Sequence, residues 1–206
     1  NEIDTENIKY NEAKKGTMES LINGVLFGLN QKNYHIGGFN AYIECSIPRN
    51  VGLGSSANFD IMIGTIINHL YNEGQIENKY LVQIGRFATN IFYCKPSGLM
   101  NECVCCVGGF IKVDFRDPNS PDIYKLNTDF SNFDYTLCCV NSNVCRSDNT
   151  IDYDAIPKEM IKVANFFKKD VLRDVSYDEF MENYRIVRAR VGDRPALRAL
   201  HFFKEE

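Results

Sequence analysis

Several features are missing from this sequence, and each absence removes a class of protein. There is no run of about 18 apolar residues, so no membrane-spanning helix and no membrane partner are expected. A basic excess is also missing, since the net charge is −4 and the pI is near 5.5. Because phosphate neutralisation supplies most of the affinity for nucleic acid, we expect no nucleic-acid partner. Without repeats or low-complexity linkers, the 206 residues predict one large globular domain or two small ones.

The eight cysteines lack the spacing of common cysteine-based sites. The cluster of Cys103, Cys105 and Cys106 has no C-x-x-C pair of the kind that zinc sites use, and the chain has no Asn-x-Ser/Thr glycosylation signal. Several cysteines lie beside Val, Leu or Phe, as small buried hydrophobic residues do. We therefore expect reduced, structural thiols and a cytoplasmic location. The polar residues 1–16 predict neither a signal peptide nor a presequence.

Hydrophobic periodicity predicts a mixed chain of the α+β class. The predicted helices cover residues 17–29, 57–71, 79–92, 100–109, 156–167, 175–187 and 195–206, and the predicted strands cover residues 39–47, 110–115 and 135–143. Pro118 and Pro121 mark a turn that is the best candidate for a boundary between two domains. We place the domain boundary just after this turn, which gives domains 1–130 and 131–206.

A turn rich in glycine and serine precedes the second predicted helix. In "IPRNVGLGSSA" the glycines let the backbone come close to a ligand, and the free N–H groups at the start of a helix favour an anion. The hydroxyl of Ser55 or Ser56 could reach a metal ion bound to phosphate. No lysine follows the turn, which excludes a Walker A loop. On these residues alone, a tight structural turn is an equally good interpretation.

Four motifs in the same order resemble those of the GHMP kinases, and of the galactokinases among them. "IPRNVGLGSSA" resembles the family loop P-x-x-x-G-L-[GS]-S-S-A, and "CKPSGLMNE" resembles the segment K/N-P-x-G-[IL]-M-D-Q. "VNSNVCRSDNTIDY" is similar to the family's N-S-N-V segment with its later tyrosine, and "FFKKDVLRDVSYDEF" is similar to its "LRDV" helix pair. The resemblance covers nearly the whole chain, from residue 16 to residue 203.

The resemblance implies a two-lobed fold whose amino-terminal lobe is like ribosomal protein S5 domain 2, with part of an α+β carboxyl-terminal lobe. It also implies ATP and Mg²⁺ as cofactors and a hexose such as galactose as partner, with the γ-phosphoryl group passing to the anomeric hydroxyl. Carried over by position, the phosphate-binding residues are Asn50, Val51, Gly52, Leu53, Gly54, Ser55 and Ser56, the sugar-binding residues are Gly98, Asn101 and Tyr153, and the metal-binding residue is Ser56. Tyr153 has the alternative of an ordinary half-buried tyrosine on a loop.

Two acidic residues of the family are replaced here. Asn101 occupies the position of the residue that accepts a hydrogen bond or proton from the sugar hydroxyl, and Thr89 occupies that of the second magnesium ligand, a glutamate. An amide cannot take the proton, and loss of a general base typically costs about 10²–10⁴ in rate. Loss of a carboxylate also weakens magnesium binding. Glu102 points about 100° further round a helix than Asn101, so we do not expect it to serve as a direct replacement.

Two further family motifs are missing, a sugar-recognition segment at the amino terminus and a glycine-rich motif at the carboxyl terminus. We therefore expect an internal fragment or a truncated, degenerate homologue. Three functional interpretations stay open. The chain is a galactokinase-like sugar phosphotransferase with weak or absent activity, a non-catalytic module that binds sugar or nucleotide, or a structural remnant that binds neither.

Overall fold

The structure is a computed structural model that describes residues 3–6, 8–47, 52–117, 119–128, 132, 135–136, 138–140 and 150–205. The chain divides into two compact units, Asn1–Asn143 and Val144–Glu206. The predicted domain boundary between residues 130 and 131 lies outside the described residues and stays a prediction. Each unit is described in turn.

The first unit is mainly helical and carries one small sheet. Its helices are α1 (Met18–Gln31), α2 (Ser55–Tyr71), α3 (Asn78–Phe87) and α4 (Met100–Val107), and α3 continues into a π-helical turn, Ala88–Phe92. A single 3₁₀ turn, Glu12–Lys14, precedes α1, and strands β1 (Phe110–Asp114) and β2 (Asp122–Leu126) follow α4. Helices and a sheet in one unit confirm the predicted α+β class.

Helix α1 begins at a well-defined cap and packs closely on its neighbours. The Thr17 side chain accepts a hydrogen bond from the backbone N–H of Ser20, which satisfies one of the free amides of the first turn. Two glycines then face α3 and the π-helical turn. A Cβ on Gly24 would lie 2.7 Å from Ala88, and one on Gly28 would lie 2.9 Å from Ile84. The internal glycines of the predicted helix therefore permit close packing of two helices.

A core of buried aliphatic side chains joins α1, α2 and α3. It contains Val25, Leu26, Leu29, Ile61, Ile63, Ile67, Ile76, Leu81, Ile84 and Ala88. A smaller cluster of Val82, Leu99 and Cys103 packs against Ile111, Val113 and Ile123 of the hairpin. Burial of these apolar surfaces stabilises the unit and fixes α4 next to α2 and α3.

The sheet differs from the predicted strands. Strand β1 confirms the prediction at residues 110–115, but its partner is β2, which periodicity did not predict; the two pair antiparallel, with Phe110 opposite Leu126. The prediction of a strand over residues 39–47 is wrong, because no described strand supplies hydrogen bonds to this segment and Tyr42 is 91% exposed. The predicted strand over residues 135–143 is absent from the part of it that is described.

The second unit consists of helices in its described part, residues 150–205. Helix α5 (Thr150–Phe166), a 3₁₀ turn (Leu172–Asp174), α6 (Tyr177–Val191) and α7 (Asp193–Glu205) confirm the three predicted helices of this region. The Ser176 hydroxyl caps α6 by accepting from the Glu179 N–H at 3.1 Å. The core is formed by Val163, Ala164, Leu172, Val175, Phe180, Val187, Ala196 and Ala199.

A buried carboxylate joins α5 to α7 within this unit. Glu159 is 8% exposed, and its Oε1 accepts hydrogen bonds from Arg194 at 2.8 Å and 2.5 Å. Its Oε2 lies 3.0 Å from Nη1 of Arg198. This carboxylate is thus compensated by two cations. Among the described helices of both units, none has the length and apolar character that crossing a bilayer requires.

Candidate functional site

The glycine-rich turn ends at the amino terminus of α2. Gly52 and Gly54 have φ angles of 82° and 71°, which residues with a side chain rarely adopt, and Gly54 is the N-cap without any side-chain hydrogen bond to the helix. Its carbonyl accepts from the N–H of Asn58 at 3.0 Å. Helix geometry leaves the amides of the first turn, including those of Ser55 and Ser56, without partners inside the helix. An anion is favoured there by these amides and by the helix dipole.

The turn is open to solvent on the side of its glycines. Gly52 and Leu53 are exposed, whereas Gly54, Ser55 and Ser56 are half-buried. A Cβ added to Gly52 would meet no atom within 4 Å. Asn50 and Val51, also predicted to bind phosphate, lie outside the described residues.

Asn101 lies directly against the turn. A Cβ on Gly54 would be 3.7 Å from both Cβ and Cγ of Asn101, which stands in the first turn of α4 and is half-buried. Two predicted site residues, distant in sequence, are thus brought together. The group that faces the glycine-rich turn at this point is an amide, which carries no charge and has no basic lone pair.

The segment before α4 is held by one asparagine. Asn90 donates from Nδ2 to the carbonyl of Ser97 at 3.2 Å, and its Oδ1 accepts from the N–H of Ser97 at 2.7 Å. Gly98 follows and is exposed, with open space around the position of an added Cβ. This fixed, open backbone next to Asn101 is compatible with the predicted contact to a sugar.

Thr89 is not open to solvent, although the family resemblance places a magnesium ligand at this position. It lies in the π-helical turn and is 1% exposed. Its Oγ1 donates a hydrogen bond of 2.5 Å to Oδ2 of Asp60, which lies on α2 and is also 1% exposed. The hydroxyl at this position therefore anchors a neighbouring carboxyl group.

Asp60 and Glu102 form a buried acidic pair. The Cβ of Asp60 and the Cγ of Glu102 lie 3.4 Å and 3.5 Å from the same point, the Cβ that a side chain on Gly85 would add. Burial raises the pKa of Asp60 to about 8, Thr89 opposes this shift by donating a hydrogen bond, and the charge of Glu102 adds to it. Burial likewise raises the pKa of Glu102, against the hydrogen bond from Ser97.

The raised pKa of Asp60 predicts a loss of stability as the pH rises. The folded state favours the protonated form of Asp60. The stabilisation that this group contributes is therefore fully present below about pH 3.8 and is lost as the pH rises through about 8. In that range the free energy of unfolding should fall by about 1.4 kcal/mol per pH unit for this one group. Urea denaturation between pH 5 and pH 8 in EDTA should show the slope.

Asp60→Asn should reduce this slope and make the chain more stable than the natural one at pH 8, because the amide can still accept from Thr89. Part of the slope should remain, since the pKa of Glu102 is raised in the same direction. Asp170→Asn, at an exposed aspartate, is the control and should leave the slope unchanged. An Asp60→Asn variant with the natural slope would contradict the burial argument.

The cysteines of α4 pack in the cores. Cys103 is fully buried, and burial raises the pKa of Cys103 and of Cys106 to about 11. Thiols of this kind stay protonated at neutral pH and are poor metal ligands and nucleophiles. The seven described cysteines are free thiols.

Tyr153 belongs to the second unit. It lies in the first turns of α5, on a helix and not on a loop, and is 48% exposed. Its predicted contact with a sugar stays a prediction.

Sequence reasoning missed Asp60. The signal available was an acidic residue inside the apolar run "ANFDIMIG", four positions after Ser56 and hence on the same face of the helix. Glu102 was considered only as a substitute for Asn101. Its burial, which turns it towards Asp60 and away from solvent, is a property of the packed unit.

Comparisons with known proteins match the region that contains this site. Residues 20–109 match the family model for the GHMP kinases N terminal domain. A galactokinase of Clostridium tetani (strain Massachusetts / E88) is 26% identical over 204 residues, which is 98% of this chain and 51% of that protein. A galactokinase of Staphylococcus carnosus (strain TM300) is 29% identical over 137 residues, 66% of this chain and 34% of that protein. The chain thus spans about half or less of the length of these curated relatives.

Proposed function

We propose that this chain, a galactokinase-like member of the GHMP kinase family through its residues 20–109, binds the phosphates of ATP or ADP on the turn at residues 52–56. A hexose, with galactose as the first candidate, would bind next to Gly98 and Asn101. Phosphoryl transfer to the anomeric hydroxyl would be weak or absent. The chain would therefore act mainly as a module that binds nucleotide and sugar.

The proximity of Gly54 to Asn101, whose Cβ and Cγ would lie 3.7 Å from a Cβ added to Gly54, is the observation that carries this proposal. The amino terminus of a 17-residue helix, capped by a glycine, lies beside Asn101, the residue that the resemblance aligns with the family's catalytic acid, and this supports the proposal. Backbone amides at such a terminus bind phosphate through hydrogen bonds and the helix dipole. A structural turn alone does not need two glycines of positive φ, Gly52 and Gly54, in a turn that is open to solvent.

The proposal of weak transfer follows from the charges at the same point. Phosphoryl transfer depends on positioning and on charge stabilisation, with a group that orients the attacking hydroxyl. Asn101 supplies an amide there. The carboxyl groups of Asp60 and Glu102 are buried, so neither can receive a proton from a sugar in the turn.

The residues for a magnesium ion fit the family pattern only in part. Ser56 offers a half-buried hydroxyl in the first turn of α2, where a phosphate-bound ion could reach it. Thr89 is buried and donates its hydrogen to Asp60. When bound, magnesium would neutralise phosphate charge and order the phosphate chain. In this chain Ser56 would contact it, and Thr89 would act only by orienting Asp60.

Gly54→Asp should abolish nucleotide binding, because it puts a negative charge at the helix terminus and a side chain where φ is positive. Gly16→Asp is the matched control: Gly16 has a φ of 76°, and a Cβ there would meet no atom within 4 Å. The measurement is the melting temperature in EDTA with and without millimolar ADP. The natural chain and the Gly16 variant should melt at a higher temperature with ADP, and the Gly54 variant should not.

An equal ADP-induced rise in all three proteins would contradict the proposed site. No rise in any of them, with or without galactose, would favour the structural remnant. A melting temperature that rises with galactose but not with ADP would support a sugar-binding module and would contradict the proposed nucleotide binding.

A further inference from the structure

Gly98 is a glycine that neither the backbone nor the packing of the first unit requires. Its φ angle lies outside the left-handed region, in contrast to the φ angles of Gly52 and Gly54. The residue is exposed, and a Cβ added to it would meet no atom within 4 Å. An alanine would therefore fit at this position in the folded chain. What the missing side chain provides is a stretch of backbone that a ligand can approach closely.

The backbone that leads to Gly98 is held by the π-helical turn. The carbonyl of Thr89 accepts a hydrogen bond from the N–H of Lys95 at 3.0 Å. Oδ1 of Asn90 accepts from the N–H of Ser97 at 2.7 Å, and its Nδ2 donates to the carbonyl of Ser97 at 3.2 Å. Three hydrogen bonds thus fix a segment that has no regular secondary structure of its own.

The π-helical turn directs two adjacent side chains to two different elements. The N–H of Tyr93 donates to the carbonyl of Ala88 at 3.0 Å, five residues earlier, and turns of this kind are rare and frequent at functional sites. Neighbouring residues on a helix point about 100° apart. Thr89 therefore reaches Asp60 on α2, whereas the half-buried Asn90 reaches the segment before α4.

Helix α4 itself is held by packing and not by Asn90. Leu99 lies in a buried cluster with Val82 and Cys103, which fixes the start of the helix. Loss of the Asn90 side chain would therefore release the backbone at residues 97–98 and leave Asn101 beside the glycine-rich turn. The two parts of the candidate site can be separated by one substitution.

We propose that Asn90 is a positioning residue for the hexose: it holds Ser97 so that the backbone at Gly98 stays in place to hydrogen-bond sugar hydroxyl groups. This inference rests on the proposed function, which places the hexose next to Gly98 and Asn101. The amide suits the task because its oxygen accepts and its nitrogen donates, which matches both backbone groups of Ser97. A site fixed before the ligand arrives loses less conformational entropy on binding.

The test compares the affinity for galactose with the affinity for ADP, both measured in EDTA through the backbone amide signals of the ¹⁵N-labelled full chain. Asn90→Ala removes both hydrogen bonds to Ser97. It should weaken galactose binding at least about tenfold, as expected when the binding conformation is present only a tenth of the time. It should leave the affinity for ADP unchanged.

Two further variants of Asn90 and its counterpart on α1 complete the comparison. Asn90→Asp keeps the acceptor for the N–H of Ser97 and loses the donor to its carbonyl, so its galactose affinity should lie between those of the natural chain and Asn90→Ala. Asn30→Ala, at an exposed asparagine of α1, is the matched control and should bind both ligands as the natural chain does.

Gly98→Ala tests the ligand contact apart from the fold. Because a Cβ at this position meets no atom, the variant should melt at the same temperature as the natural chain. It should nevertheless weaken galactose binding, because the added methyl group occupies the space beside the backbone that the sugar needs.

An equal loss of galactose and ADP affinity in Asn90→Ala would indicate a merely structural role and would overturn the inference, as would natural galactose affinity in this variant. If Asn90→Ala does not fold, Asn90→Asp decides by the same two criteria. A natural chain that binds no galactose at millimolar concentration removes the hexose from the proposed function and overturns the inference with it. Galactose binding that Gly98→Ala weakens and Asn90→Ala does not refutes the inference alone.

Discussion

Asn101→Asp is expected to raise the rate of galactose-dependent ADP formation by at least about 100-fold over the natural chain, the lower end of the contribution of a general base. The side chain is half-buried and lies near Gly54, so a carboxylate of nearly the same shape fits without a change of packing. It would supply the proton acceptor that the amide lacks. The measurement is a coupled assay of ADP release with Mg²⁺, ATP and galactose.

Asn58→Asp is the matched control for this substitution. Asn58 is exposed on the first turns of α2, so the change adds the same charge near the same turn without placing it at the catalytic position. Its rate should equal that of the natural chain. If Asn101→Asp is no faster than this control, Asn101 is not what limits transfer, and the family role assigned to its position is wrong for this chain.

Thr89→Glu is expected to destabilise the fold, although it also restores a family residue. Thr89 is 1% exposed and bonded to Asp60, whose pKa is already raised to about 8. A third carboxylate would enter a buried site that holds two. Uncompensated buried charge typically costs about 3–5 kcal/mol, so the free energy of unfolding at pH 8 should fall by at least about 3 kcal/mol.

Thr89→Gln separates charge from size in this experiment. Glutamine has the volume of glutamate, so the difference between the two variants measures the charge alone. That difference should be large at pH 8 and should shrink towards pH 5, because burial favours the protonated form of a carboxyl group and lower pH supplies the proton. Equal stability of the Glu and Gln variants at pH 8 in urea denaturation would mean that the site is not closed to water as the burial of Thr89 indicates.

The helices could be predicted from sequence because their signal is local. An apolar stripe that begins at a cap such as Thr17 predicts a helix when the stripe can pack against a neighbouring element. Helix α1 was predicted correctly in this way despite its internal glycines. The two glycines of α1 that approach Ala88 and Ile84 weaken the helix in isolation and improve its packing. Their role in close helix packing could be recognised only from the positions of the neighbouring residues.

The strands were harder because a strand depends on a partner distant in sequence. The alternation from Phe39 to Ile47 has the period of a strand, yet no described strand pairs with it. Strand β2 has a weaker pattern and forms because the turn after β1 brings Ile123 opposite Val113. Hydrophobic periodicity therefore identified the strand at residues 110–115 correctly and the one at residues 39–47 wrongly, and the strand predicted over residues 135–143 is absent from the described part of that segment.

In the candidate site, too, some residues could be predicted from sequence and others could not. The glycine-rich turn before α2 and the position of Asn101 could be predicted from sequence, since the first is a local motif and the second a position within one. The acidic pair was not, because nothing in the spacing of Asp60 and Glu102 indicates that both turn inward against Gly85. Burial decides their chemistry, and burial arises from the packing of α2, α3 and α4.

The most direct test of the central claim is a titration of the ¹⁵N-labelled chain with ADP, followed through the backbone amide signals. If the phosphates bind at the start of α2, the signals of Gly52, Gly54, Ser55 and Ser56 should move most, and they should saturate together. Their movement should be lost in Gly54→Asp and kept in Gly16→Asp. Saturating shifts confined to other residues, or no shifts at millimolar ADP, would contradict the account.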